Sequence, residues 1–98
     1  MGIVIQSFDA QVAVHRQYYD QCMYHEKFQL ATHYAELIHN TLPPRARITD
    51  YQPFKIKESD FNYSDKVNVK AFDYCTNWMP MIETAIAIYR DELLSSDR

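Results

Sequence analysis

A single glycine, Gly2, stands among the 98 residues, so every phosphate loop built on several glycines is excluded, GxGxxG, Walker A and GxSxG alike. Cysteine is scarce too. Cys22 and Cys75 are too few and too far apart for a disulfide framework or a CxxC site, and are expected as buried thiols in a reducing compartment. A basic excess is missing: formal net charge is −3, which argues against a general binder of nucleic-acid polymers. No window approaches the roughly 18 apolar residues of a membrane span. The opening "MGIVIQSF" has neither a basic n-region nor a long apolar core, so no secretory signal is expected, and Gln6 stands where MGxxx[ST] needs Ser or Thr. These absences predict a soluble, cytoplasmic protein that works away from membranes.

What is present is apolar residues, 47% of the chain, and eight tyrosines. With so little glycine, the composition points to an all-α domain spanning 1–98. After a short extended "GIVIQ", Ser7 is placed to cap a helix with Asp9 in its first turn. Neither proline nor glycine occurs from there to Pro43. Tyr19, Met23, Lys27, Leu30, Tyr34, Leu37 and Ile38 follow at helical steps, which predicts one long helix over about 7–42, its apolar stripe interrupted by Lys27. Pro43 and Pro44 end it. Residues 43–65 hold three of the four prolines and four aromatic residues, without helical period. Charge is uneven: residues 1–44 sum to −2 (two basic, four acidic), 45–70 to +2 (six against four) and 71–98 to −3 (two against five). The middle is therefore a basic, aromatic connector, in which "FKIK" has the makings of an edge strand. A second helix is predicted over about 65–94 through Ala71, Cys75, Trp78, Ile82, Ala85, Ile86 and Tyr89. The expected architecture is a long helical hairpin with a thin core, so assembly into an oligomeric helical bundle is predicted.

Candidate chemistry is sparse. Glu36 and His39 form an ExxH, but a di-iron bundle needs a second ExxH and two further carboxylates, and none is present. His33 and His39 lie about 120° apart around a helix, which suits surface or rim histidines better than a metal site. No catalytic residue, cofactor or metal is predicted. Tyr and Trp are favoured where a ring packs on one side and meets a partner on the other, and they also stack on nucleobases. Asp73 and Thr76 are read as polar groups in a helix interface, the threonine bonding back to a carbonyl one turn earlier.

Residues 73–85, "DYCTNWMPMIETA", with Asp73, Thr76, Trp78, Met79, Met81, Ile82 and Ala85 in fixed spacing, resemble the second hairpin helix of phage anti-CBASS nucleotide sponges, a family sharing a helical hairpin with an anti-Thoeris sponge. The "AELI" of "HYAELIHNTLPPR" (33–45), followed by a proline turn, is similar to the preceding helix of that family. The resemblance implies a phage-encoded, non-enzymatic, all-helical hexamer, a trimer of dimers, that captures cyclic dinucleotides or cyclic trinucleotides and blinds a bacterial CBASS-type defence. It implies an N-terminal aromatic stacked on a base, for which Tyr18, Tyr19 and Phe8 compete. Lys27 takes the phosphate role, and Lys70, Asp73 and Thr76 the polar set at the start of the last helix. Ala71 and Phe72 depart from the family, which has a basic and a small polar residue there.

Pro80 departs as well. An interior proline removes one helical hydrogen bond and costs about 3 kcal/mol, so a kink is expected that lets Trp78, Met79 and Ile82 form the oligomer interface. A second function class fits the same sequence: a small helical inhibitor or adaptor that binds another protein, as anti-CRISPR-like proteins do, its acidic ends mimicking nucleic acid.

Overall fold

The computed structural model describes residues 2–55 and 65–96. Its elements are α1 (Gly2–Tyr24), α2 (Phe28–Asn40), a 3-10 turn at Pro44–Ala46 and α3 (Asp65–Ser96). Among the described residues there is no strand. The all-α expectation stands, and the second helix begins at Asp65 as predicted. The first does not. Helix starts already at Gly2, which leaves Ser7 inside it rather than at its cap, and the helix predicted over 7–42 is two helices folded back on one another. "FKIK" is not a strand in its described part, Phe54 and Lys55; the rest lies outside the described residues.

The break needs neither proline nor glycine. Glu26 takes the left-handed conformation at φ 59°, the N–H of Lys27 donates to the Cys22 carbonyl at 2.7 Å, and that of Glu26 donates to Met23 at 3.1 Å. That pair of bonds is a Schellman closure with Glu26 at the position usually held by glycine. From α3, the Asn68 amide donates to the Glu26 carbonyl at 3.3 Å and ties the turn down.

Side-chain pairs fix the directions. Glu26 with Asn68, Arg16 with Glu83, and Asp9 with Arg90 make α3 antiparallel to α1. Phe28 with Phe72, and Arg45 with Glu92, make it parallel to α2. At 32 residues, α3 is about 48 Å long by its rise per residue and sets the 51 Å long axis. The radius of gyration, 14.9 Å, exceeds the roughly 13 Å of a compact chain this size.

The core is thin, as its sequence implies. Ala31 and Ala35 of α2 cluster with Cys75 of α3, these three and Ala71 of α3 are without exposed surface, and such small side chains allow close helix packing. Among the described residues, Ile38, Leu42 and Ile82 are the larger apolar side chains that are most deeply buried. Met79 at 5% exposure and Ile82 at 0% belong to this core, so neither has surface left for the oligomer interface expected of it. Trp78 is half-buried against Tyr51 and Tyr74 of its own chain.

The helix runs through Pro80 without a break. Pro80 lies on the outer, exposed face, where water can take the Thr76 carbonyl that loses its helical donor. Thr76 and Thr84 bond back to the carbonyls of Asp73 and Pro80, each at 3.0 Å. Within residues 73–85, Cys75, Met79 and Ile82 pack inside the chain, whereas Asp73, Thr76, Pro80 and Met81 face outward.

Candidate functional site

The α1–α2 turn opens onto a solvent-facing groove of about 190 Å³ lined by Tyr18, Gln21, Cys22, His25, Lys27, Leu30 and Tyr34. Folding α2 back on α1 is what creates it. Tyr18 and Tyr34 stack with centroids 5.5 Å apart and planes at 20°, and Tyr18 stays 48% exposed. Lys27 is exposed and immediately precedes α2, whose first turn has no side-chain cap. Its ammonium has no ion-pair partner among the described residues. It is therefore not a lysine buried in an apolar stripe: the apparent stripe crosses the turn, and Lys27 falls where the chain reverses.

The Cys22 thiol at the floor is pushed above its ordinary pKa by burial, against the pull of the Lys27 charge. It contributes a nearly buried thiol to the groove. Cys75, raised to about 11 chiefly by burial, is in the core.

The other expected ligand residues lie elsewhere. Tyr19 is buried with the Arg16 guanidinium 5.6 Å over its ring, and Phe8 is buried edge-on to Tyr89 at 5.0 Å, so neither offers a free face to a base. Of the three competing aromatics only Tyr18 does. Lys70, Asp73 and Thr76 are all exposed on α3, and no residue of α3 lines the groove. Asp73 and Thr76 are thus not in a helix interface, although Thr76 makes the expected back-bond. Gln21 and His25 join the site without having been singled out from sequence, and Leu30 and Tyr34, read there only as part of an apolar stripe, join it as well. The i, i+3, i+7 spacing of Tyr18, Gln21 and His25 marks one helix face, but only knowledge of the turn adds Leu30 and Tyr34.

Compared with protein-family models, curated proteins and solved structures, the chain matches none.

At the opposite end of α2 lies a second polar cluster. His39, expected at the surface or rim, is 3% exposed. Its Nε2 accepts the Ile48 N–H at 3.1 Å and its ring stacks on Tyr51 at 4.0 Å, whereas Nδ1 is buried without a partner. Arg47 donates to the carbonyls of Leu42 at 2.8 Å and Asn40 at 3.3 Å, covering the C-terminus of α2. The Tyr51 and Tyr74 hydroxyls are 2.6 Å apart, and Tyr74 donates to the Gln52 carbonyl at 2.8 Å. Burial raises both phenols above their ordinary pKa. Phe54 packs edge-on to Tyr74. These contacts pin the described part of the connector, as its aromatic content suggests. No group of three or more His, Cys, Asp or Glu among the described residues is placed to hold a metal ion, and no helix there is long and apolar enough to cross a membrane.

Proposed function

We propose that this chain is a binding protein that sequesters cyclic dinucleotide or cyclic trinucleotide signals in the α1/α2 groove and releases them intact. The observation that carries the reading is the meeting, in one groove, of an exposed tyrosine stack with an unpaired lysine at an uncapped helix start. A nucleobase stacks on an aromatic ring for about 1–3 kcal/mol. A phosphate beside it takes the Lys27 charge and the unpaired N–H groups of the first turn of α2. The groove is smaller than the roughly 300–1,000 Å³ of a drug-sized pocket, so one base and its phosphate enter and the rest of the ligand lies over the rim. The resemblance of residues 73–85 and 33–45 to phage anti-CBASS sponges favours a cyclic ligand and a role in blocking a CBASS-type defence in the host cytoplasm.

Assembly into a homo-oligomer of six chains belongs to the same proposal. Its support is the outer face of α3, where Met81 and Ile88 remain 48% and 59% exposed one heptad apart. That face also favours a second reading, in which the partner is a different protein and the chain is a small helical inhibitor or adaptor.

Calorimetry with a panel of cyclic di- and trinucleotides tests the main reading, with chromatography of the ligand after the protein is denatured. Binding by the native chain, loss of affinity in Lys27→Ala, and recovery of intact ligand are expected. A panel without a binder would remove the nucleotide reading, and linear products formed in proportion to protein would replace sequestration with cleavage. Light scattering decides between self-assembly and a monomer free to bind another protein.

A further inference from the structure

We propose that His39 is a proton-operated latch, fastening segment 44–55 to the helices while its ring is neutral and letting that segment go when the ring takes a second proton. The chemistry follows from the two ring nitrogens. Because Nε2 accepts the Ile48 N–H, the neutral ring carries its proton on Nδ1. A proton arriving at Nε2 turns the acceptor into a donor that faces another donor. Nδ1 has no partner within hydrogen-bond geometry, and only the neighbouring Asn40 side chain favours the charged ring, so the imidazolium would hold a buried Nε2–H set against the Ile48 donor and a poorly satisfied Nδ1–H. The ring charges more readily out of its place than in it, and both the Ile48 bond and the Tyr51 stack are lost when it leaves.

The surrounding charges oppose protonation on balance. From the connector, Arg47 adds a positive charge; from α2, Glu36 and Asn40 pull the other way; from α3, Tyr74 and Cys75, beyond the Tyr51 ring, are uncharged at neutral pH. Burial first, and Arg47 second, hold His39 below its ordinary value of 6.5. The released state therefore binds more protons between 6.5 and the lower, latched value. The hold on the segment is complete above pH 6.5, weakens as pH falls below it, and levels off once the latched ring itself is protonated.

Trp78 is the only tryptophan and lies 5.1 Å from the Tyr51 ring, so its emission reports the latch. Emission and far-UV circular dichroism are followed from pH 8 to pH 5 on the full chain and on His39→Gln, whose amide oxygen can accept from Ile48 but does not titrate. The native chain should show a red shift in one step centred below pH 6.5 with helix content retained, and His39→Gln should show none. A flat native profile, or a step that persists in His39→Gln, overturns the proposal. In case the variant does not fold, NMR of the native chain decides alone. The His39 ring signal and the Ile48 amide should titrate together, with amide exchange at Ile48 accelerated about tenfold beyond its intrinsic pH dependence. A His39 ring that titrates while Ile48 stays protected refutes the latch.

Discussion

The two ends of α2 are built from similar residue types and differ in what is left unpaired. At its C-terminal end, His39, Arg47, Tyr51 and Tyr74 spend their polar atoms on one another and on backbone N–H and carbonyl groups, with Nδ1 of His39 the exception. At its N-terminal end, Tyr18, Lys27 and His25 surround a groove, and none of their side-chain polar atoms has a hydrogen bond among the described residues. An aromatic and basic cluster that satisfies itself holds the fold together. One that does not is available to a ligand. The contrast predicts that substitutions at the first end act on stability and those at the second on binding.

The largest expected effect is at the self-satisfied end. Tyr51→Ala removes a half-buried ring that contacts His39, Tyr74 and Trp78, and should cost about 3 kcal/mol, the low end of the range for a buried aromatic. Urea denaturation should show the midpoint falling at unchanged slope. Tyr18→Ala, which truncates an equally large but half-exposed ring, should cost less than about 1 kcal/mol of stability. Equal losses at the two sites would erase the distinction.

Next in size comes the open end. Lys27→Ala should weaken cyclic-nucleotide binding by about 1.5–3 kcal/mol, the value of a charged hydrogen bond, while the urea midpoint stays in place because Lys27 has no ion pair to lose. Tyr18→Ala should cost binding about 1–3 kcal/mol through lost stacking. Calorimetry on both variants checks this. Undiminished affinity in both would move the ligand away from the groove, and a fall in stability with Lys27→Ala would give the residue a structural role.

How far these sites were legible in the sequence depends on what marks a chain reversal. Pro43 and Pro44 announce the end of α2, and the aromatic connector announces contacts that Tyr51 and Phe54 make. Helix class and the start of α3 follow from periodicity and composition alone. The turn at residues 25–27 is silent, because its signal is a left-handed residue and the sequence places glutamate there. The steps Met23, Lys27, Leu30 happen to keep helical spacing across the reversal. Missing that turn hid the groove, left Tyr34 without a role and made Lys27 look like an intruder in an apolar face. The burial of His39 was hidden for another reason: its partner is the backbone of Ile48, nine residues away, and a backbone donor carries no sequence signature.

A smaller effect tests that turn. Glu26→Gly should stabilise the protein by about 0.5–1 kcal/mol: relief of the left-handed glutamate is worth about 1–2, and the greater freedom of glycine in the unfolded chain returns part of it. Urea denaturation reads the gain directly. A loss would mean that the Glu26 side chain supports the turn in a way that outweighs its backbone cost.

The smallest effect concerns the tie between the two ends of the chain path. Asn68 reaches from the first turns of α3 to the Glu26 carbonyl at 3.3 Å, an exposed and rather long hydrogen bond. Asn68→Ala should therefore cost only about 0.5 kcal/mol, the low end for a neutral hydrogen bond with water as the competing partner. Its value lies in the coupling with Glu26→Gly. The bond uses a backbone carbonyl, which glycine keeps, so if the left-handed geometry is what the turn requires, the two changes should add within about 0.3–0.5 kcal/mol in a double-mutant cycle. If glycine instead lets the turn relax to another conformation, the carbonyl moves, Asn68 has nothing left to hold, and removing it costs nothing in the Glu26→Gly background. In that case the groove should deform as well, and cyclic-nucleotide affinity should fall even though neither substitution touches a residue that lines it.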